Sequence, residues 1–145
     1  PFERKPGENP YDLHSELQET MQDLVGIFRV ERDLTQALSE IQDFKARSMS
    51  LSISGSRMFN PGWHLCADLK SLLTVSEAVT RSAIARKESR GAHSRIDFAE
   101  YDETWGKQNN IISRGGQEMM LQQRPTPAMP QDLQALVQDE KGAGA

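Results

Sequence analysis

The stretch RKESRGAHSR, residues 86–95, marks the point at which the pattern of the chain changes. It holds three arginines, a lysine, a glutamate and a histidine around one glycine. A long helical pattern of apolar residues precedes it, and a weaker pattern follows. Gly91 stands where helices often end in a left-handed residue, and the neighbouring Lys87 and Arg90 suit the negative end of a helix dipole. We therefore predict a helix that persists to about Arg90 and then gives way to an extended arm.

The helix before this stretch begins at a clear start signal. Asn60 can accept a hydrogen bond from an early backbone N–H, and Pro61 fits the first helical position. Apolar or small residues then recur at spacings of three and four: Leu65, Leu69, Leu72, Leu73, Ser76, Val79, Thr80 and Ala83. This periodicity predicts a long amphipathic helix.

Two further helices are predicted upstream of it. The pair Asn9-Pro10 repeats the start signal, and an apolar stripe follows to about Phe28: Leu13, Leu17, Met21, Leu24, Val25 and Phe28. A second stripe follows a short break near Arg29: Leu34, Ala37, Leu38, Ile41 and Phe44. A short connection predicts that these two helices pack antiparallel.

The sequence after Gly91 is less regular. It offers a β-like pair at Ile111-Ile112, a break at Gly115-Gly116, a possible strand at 119–121 and a proline-rich run to Pro130, which favours extended backbone. The predicted fold class is therefore all-α: a three-helix up-down-up, spectrin-repeat-like bundle with an extended C-terminal arm. We divide the chain into a linker at 1–9 from an upstream region, the bundle at 10–92, the arm at 93–131 packing on the bundle or a partner, and a marginal helix with a disordered tail at 132–145.

Composition excludes several classes of function. The 145 residues carry a formal net charge of -4, which gives no electrostatic basis for nucleic-acid binding. The single cysteine, Cys66, cannot form an internal disulfide. No apolar run is long enough to span a bilayer, and no signal peptide is visible, so we expect this segment itself to be soluble. The start at Pro1 is expected to reflect a piece of a longer polypeptide.

The sequence supplies no recognisable catalytic, cofactor-binding or metal-binding set. The three histidines, His14, His64 and His93, form no pair at ligand spacing, and no phosphate loop or dinucleotide glycine signature is present. The arginine-rich stretch leaves two interpretations open. One is an exposed, solvated helix end with weak ion pairs. The other is a fixed hub in which planar arginine donors, Glu88 and His93 anchor an adjoining loop.

The same stretch resembles a known family. The pattern Arg-x-Glu-Ser-Arg-Gly-Ala-His-x-Arg over 86–95, followed by Asp97 and Phe98, is similar to the C-terminal domain of succinate dehydrogenase and fumarate reductase flavoprotein subunits. The resemblance extends to Glu8-Asn9-Pro10, LQETMQ at 17–22, Phe28-Arg29 and the segment 68–78. Ala99 stands where that family often has proline.

This resemblance implies a non-catalytic domain of an FAD-dependent enzyme. In the family, the flavoprotein interconverts succinate and fumarate and passes electrons to an iron–sulfur subunit and then to quinone, in electron transport and the tricarboxylic acid cycle. The flavin and the substrate residues lie upstream. The expected partners are the FAD-binding domain of the same chain, the iron–sulfur subunit and, indirectly, membrane anchor subunits on the cytoplasmic side of the membrane.

The resemblance also favours the hub interpretation, in which seven residues tie the helix end to the arm and to the flavin-binding domain: Arg86, Glu88, Arg90, Gly91, His93, Arg95 and Asp97. We refer to these residues as the charged hub. The alternatives are a free-standing helical adaptor or interaction domain, and the equivalent domain of L-aspartate oxidase.

Overall fold

The computed structural model describes residues 1–2, 7–116, 118–131 and 133–134. Three helices make up most of the regular secondary structure of the described residues: α1 (Pro10–Leu24), α2 (Glu31–Ser48) and α3 (Pro61–Ala85). Four strands accompany them: β1 (Phe28–Arg29), β2 (Ser94–Arg95), β3 (Gln108–Gly115) and β4 (Glu118–Pro125). A short 3-10 helix, Trp105–Lys107, leads into β3.

The starts of α1 and α3 confirm the Asn-Pro signals. The Asn9 side chain accepts a hydrogen bond from the Tyr11 N–H at 3.0 Å, and the Asn60 side chain accepts one from the Gly62 N–H at 3.1 Å. Each cap satisfies a backbone donor that has no partner inside the helix. Proline occupies the first helical position in both cases.

The directions of the helices follow from two apolar clusters. One joins the early part of α1 to the late part of α2 and the early part of α3: Leu13, Leu17, Ile41, Phe44, Leu51, Leu69 and Leu73. The other joins the end of α1 to the start of α2 and the end of α3: Val25, Leu34, Ala37 and Ala83, with Met21, Leu24 and Ile84 against them. Helix α2 therefore runs antiparallel to α1 and α3, and the ends of α1 and α3 meet at one side of the domain.

The arm is not merely extended. Strand β2 pairs in parallel with β1, so that Phe28 lies opposite Ser94 and Arg29 opposite Arg95. Strands β3 and β4 form an antiparallel hairpin, from Gln108 opposite Pro125 to Gly115 opposite Glu118. The all-α class was therefore wrong, because the fold combines the three helices with two two-stranded sheets. The backbone N–H groups of Ser94 and Ile96 donate to the carbonyls of Ile27 and Arg29 at 3.2 and 2.9 Å, so two segments outside the helices satisfy each other's backbone groups.

Helix α3 also ends earlier than predicted. It stops at Ala85, and Arg86 is already extended, with φ -88° and ψ 101°. Gly91 has φ 59° but does not cap the helix. It lies instead in a two-residue turn that Arg90 and His93 close with reciprocal backbone hydrogen bonds of 2.8 and 3.1 Å. Glycine suits the first central position of such a turn, where φ is positive.

The predicted boundaries of linker, bundle and arm remain predictions. Residues 3–6 of the linker lie outside the described residues, and so do residue 132 and residues 135–145, where the marginal helix and tail were predicted. Among the helices that the structure describes, none combines the length and the apolar character that crossing a membrane requires.

Candidate functional site

The charged hub forms two groups of ion pairs that meet where α3 ends. Glu88 is the centre of the first and Arg95 the centre of the second, and both side chains are completely buried. The turn at Gly91 lies between them in sequence. The structure therefore brings the seven predicted residues into one region, and every charged member is engaged by a neighbour.

Glu88 is held by two arginines and a backbone amide. Its Oε1 accepts hydrogen bonds from the Nε and Nη2 of Arg86, at 2.8 and 2.5 Å, and from the Nε of Arg90 at 3.0 Å. Its Oε2 accepts from the Nη2 of Arg90 and from the backbone N–H of Asp102, both at 3.0 Å. Hydrogen bonds from Arg90, then from Asp102 and Arg86, outweigh burial and lower the pKa of Glu88 to about 2. Glu88 is therefore a structural anion at neutral pH.

The two arginines also fasten the arm. Arg86 donates through Nη2 to the backbone carbonyl of Trp105 at 3.0 Å and lies over the Trp105 ring at 5.7 Å. Arg90 donates to the carbonyl of Asp102 at 3.2 Å and lies over the ring of Tyr101 at 5.0 Å. These cation–π contacts place the segment before β3 against the end of α3.

Arg95 joins three separate elements. Its guanidinium makes a bidentate contact with Asp97, at 2.7 and 2.8 Å, and a third hydrogen bond with Glu31 at 2.6 Å. Its Nη1 donates to the carbonyls of Ala83 and Ile84, at 2.9 and 3.4 Å. Those carbonyls belong to the last turn of α3, where no intrahelical donor remains, so Arg95 caps that helix from outside.

Asp97 caps the start of α2 in the same way. Its Oδ2 accepts a hydrogen bond from the backbone N–H of Glu31 at 2.8 Å, whereas the residue at the helix cap, Val30, has no side-chain acceptor. A carboxylate at a helix N-terminus is favoured by the helix dipole. Arg95, and then the Glu31 amide, lower the pKa of Asp97 to about 2 despite some desolvation.

His93 occupies the space between the two groups. Its Nδ1 lies 2.7 Å from Nη1 of Arg29, and its Nε2 lies 3.0 Å from the backbone carbonyl of Arg86. Arginine can only donate and a carbonyl can only accept, so His93 is neutral with its hydrogen on Nε2. Burial lowers the pKa of His93, and the charges of Arg29, Arg95 and Arg86 lower it further.

Several partners of the hub had not been predicted. Arg29 belongs to β1 and Glu31 begins α2, whereas Asp102 and Trp105 lie in the segment before β3. Glu31 and Asp97 are 66 residues apart, and no local periodicity links such positions. The local sequence signal for Glu31 is its place in an acidic first turn of α2, which favours an interaction with the helix dipole but does not identify Arg95 or Asp97 as partners.

The described residues contain no group of three His, Cys, Asp or Glu side chains placed to hold a metal ion. The carboxylates whose pKa values move most are Glu88 and Asp97, and both move toward permanent ionisation. A general acid or base at neutral pH needs a pKa near 7. The charged hub is thus built for holding elements together.

The fold and the hub define a small domain of three helices and two sheets whose buried charges serve its own structure. The family described as "Fumarate reductase flavoprotein C-term" matches residues 14–136. The chain belongs to this family.

Similar proteins carry the same stretch within much longer chains. The fumarate reductase flavoprotein subunit of Helicobacter pylori is 35% identical over 100 residues, which cover 68% of this chain and 14% of that protein. The succinate dehydrogenase flavoprotein subunit of Coxiella burnetii is 33% identical over 127 residues, covering 87% of this chain and 21% of that protein.

A solved structure shares the fold. Mycobacterium smegmatis Sdh1 in complex with UQ1 matches 94% of this chain and 24% of its own chain, with a TM-score of 0.84 and 40% sequence identity. The chain therefore spans a quarter or less of the length of these similar proteins.

Proposed function

We propose that this chain is the C-terminal domain of an FAD-dependent flavoprotein subunit that interconverts succinate and fumarate. The family match over 123 of the residues, 14–136, carries this proposal. Similar proteins are named both fumarate reductase and succinate dehydrogenase, which favours this branch over L-aspartate oxidase. The proposal covers both directions of the reaction.

In this proposal the domain braces the flavin-binding part and takes no part in the chemistry. The hub's charges support this role because they are neutralised by one another. Glu88 and Asp97 are held ionised by arginines, and both ring nitrogens of His93 are engaged. Side chains committed in this way are unsuited to moving protons at neutral pH.

We assign FAD to the remainder of the longer polypeptide. The sequence has no Gly-x-Gly-x-x-Gly stretch, the fingerprint whose backbone approaches a dinucleotide pyrophosphate. When bound there, the flavin supplies hydride transfer. The partners in this proposal are the flavin-binding part of the same chain, an iron–sulfur subunit that receives the electrons, and anchor subunits that hold the complex at the cytoplasmic face of a membrane.

The hub is proposed to serve as the interdomain connection. Its Glu88 group joins the end of α3 to the arm through buried contacts, and the Arg90 side chain keeps 40% of its surface exposed. Arg90 therefore offers donors on its outer side while its inner side is fixed by Glu88. A side chain whose orientation is already set loses less entropy when it contacts a further surface.

The test compares the full-length subunit with the subunit lacking this domain and with the chain by itself. We expect the isolated chain to be colourless and inactive. Removal of the domain is expected to lower the flavin content of the subunit and its succinate-dependent reduction of an electron-accepting dye. Flavin bound by the isolated chain, or a truncated subunit with full flavin and turnover, would contradict the proposal and favour a free-standing interaction domain.

A single substitution tests the hub itself. Arg90→Ala in the full-length subunit should lower flavin retention and turnover, because it removes two contacts to Glu88 and the contact to Tyr101. Lys87→Ala is the matched control, since Lys87 is exposed, carries the same charge and lies three residues away. Equal behaviour of the two variants would count against the interdomain role of the hub.

A further inference from the structure

A groove of about 650 Å³ lies between the outer side of α3 and strand β3, beside the charged hub. One wall is apolar and is formed by Val75, Ala78, Val79 and Ile112. The other end is polar and is formed by Arg29, Arg86, His93, Asn109 and Asn110. The β3–β4 hairpin does not cover this groove. Any group that fills it must come from outside the described residues.

Arg29 brings an uncompensated charge to the groove. Its Nε donates to the carbonyl of Val25 at 3.1 Å and its Nη1 contacts Nδ1 of His93, and both partners are neutral. Within the part of the chain that the structure describes, no carboxylate pairs with Arg29. The half-buried guanidinium instead faces the positive charge of Arg95, and burial together with that charge lowers its pKa. A partly buried cation without a counter-ion is unfavourable, so this end of the groove attracts a negative group.

Asn110 adds a second unsatisfied group. Its Nδ2 donates to the carbonyl of Ser82 at 3.1 Å, which fixes the amide against the end of α3. Its Oδ1 is buried and accepts no hydrogen bond within the described residues. The groove therefore presents a cation that lacks an anion, and the amide beside it keeps a buried oxygen without a donor.

The apolar wall requires a cover as well. Val75 and Val79, two apolar residues of α3, remain 60% and 41% exposed. The matched stretch is only 14% to 24% of the length of the similar proteins described above. A large body of polypeptide therefore accompanies this domain in each of those proteins.

We propose that a segment of the flavin-binding part of the same polypeptide docks in this groove, placing an Asp or Glu carboxylate against Arg29 and apolar side chains over Val75 and Val79. This inference rests on the proposed function and specifies where and by what chemistry the brace is made. A carboxylate forms charge-assisted hydrogen bonds with a guanidinium. The apolar flanks bury the valines, and the ion pair fixes the register of the segment.

The test uses the full-length subunit with a photo-crosslinking amino acid, p-benzoylphenylalanine, placed at Val75. A second variant carries it at Thr74, which is exposed on α3 but does not line the groove. Peptide mapping by mass spectrometry then identifies the partner. We expect the Val75 probe to form an intramolecular crosslink to an upstream peptide that contains Asp or Glu, and the Thr74 probe to miss that peptide. A crosslink to a second copy or to another subunit, a crosslink to a peptide without acidic residues, or no crosslink would overturn the proposal.

The charge is tested in the same background. Arg29→Gln is expected to reduce the yield of the Val75 crosslink several-fold, and Arg29→Lys is expected to retain most of it. Exchanging Arg29 and the identified carboxylate, Arg29→Glu with the acid replaced by Arg, should restore the yield. Unchanged yield in Arg29→Gln would overturn the carboxylate assignment. Flavin content is measured on the unmodified subunit in parallel: a subunit without flavin overturns the proposed function, whereas a flavin-loaded subunit without the crosslink overturns only the groove.

Discussion

Arg95 and Asp97, two positions apart in the sequence, face each other through two parallel hydrogen bonds, from Nε to Oδ1 at 2.7 Å and from Nη2 to Oδ2 at 2.8 Å. The guanidinium is completely buried, and it reaches the last carbonyls of α3 while Asp97 caps the first turn of α2. One ion pair thus satisfies the ends of two helices. Its contribution to stability depends on both partners being present. Without Asp97 the buried guanidinium keeps Glu31 as its remaining carboxylate, and without Arg95 the partly exposed Asp97 keeps the Glu31 amide.

Substitution of Arg95 should be strongly destabilising. Arg95→Met removes the donor to Asp97 and to the carbonyl of Ala83, and leaves the carboxylate without its main partner. We expect the free energy of unfolding of the chain to fall by about 3 kcal/mol, the lower end for a broken buried ion pair, because the side chains of Asp97 and Glu31 stay 28% and 45% exposed. Urea denaturation followed by circular dichroism measures the change.

The control for Arg95 is a surface pair on α2. Arg32 lies 2.9 Å from Asp33, and its side chain is 87% exposed. Arg32→Met should change the unfolding free energy by no more than about 1 kcal/mol. If the two variants lost similar amounts of unfolding free energy, burial of the ion pair would have little influence on stability.

Acid should weaken the fold through Glu88. Its ordinary pKa of 4.5 falls to about 2 in the folded domain, so the unfolded chain takes up the proton first as pH falls. The stabilisation is complete above pH 4.5 and is lost progressively toward pH 2. Between pH 4.5 and pH 2, the slope of the unfolding free energy against pH reports how many more protons the unfolded chain binds. Glu88→Gln should lower this number by up to one. Urea denaturation at several pH values tests this, and a slope equal to that of the parent chain would refute it.

His93 should give a second, separate pH dependence. The neutral ring accepts from Arg29, and a protonated ring would instead oppose Arg29, Arg95 and Arg86. Because the folded pKa lies below 6.5, stability is full above that pH and falls as the pH drops from 6.5 toward the folded value.

The readout is nitrogen NMR of the imidazole, which should show a neutral ring with hydrogen on Nε2 at pH 7. His93→Gln should flatten the stability profile below pH 6.5. The exposed His64, which lies beside Trp63, provides the control substitution His64→Gln. A signal from a charged His93 ring at pH 7 is incompatible with the Arg29 contact.

Gly91 is predicted to matter for its backbone conformation alone. Its φ of 59° is unfavourable for a residue with a side chain, yet an added Cβ would meet no atom within 4 Å. Gly91→Ala should therefore destabilise the chain by about 1–2 kcal/mol through strain, without a steric clash. Thermal unfolding compares it with Ala92→Ser in the same turn, where φ is not positive. A shift in melting temperature of equal size in both variants would contradict this explanation.

The helix starts could be predicted from sequence because the signals are local. Asn9 and Asn60 cap the next few amides, and Leu13 and Leu69 belong to stripes that periodicity reveals. The chemistry of one turn determines the start of a helix, so a single sequence contains the necessary information. The seven residues of the charged hub were named through resemblance to a family and not through spacing, and their interdomain role stays a prediction.

The strands and the hub's contacts depend on distant partners. Strand β2 is two residues long and exists only because Phe28 and Arg29 lie alongside it. The end of α3 was misplaced because a basic residue near a glycine suggests a helix end, whereas Arg86 leaves the helix to contact Glu88 and Trp105. Such long-range contacts overrode the local preference and set the end of the helix at Ala85.

The 66-residue separation between Glu31 and Asp97 also has a consequence for how the domain folds. Contacts between distant positions close a long loop and are made late, after neighbouring helices have paired. Interactions that are absent from the transition state govern the rate of unfolding and have little effect on the rate of folding. The hub is therefore expected to set the lifetime of the folded domain, while the helix pairs set the speed with which it forms.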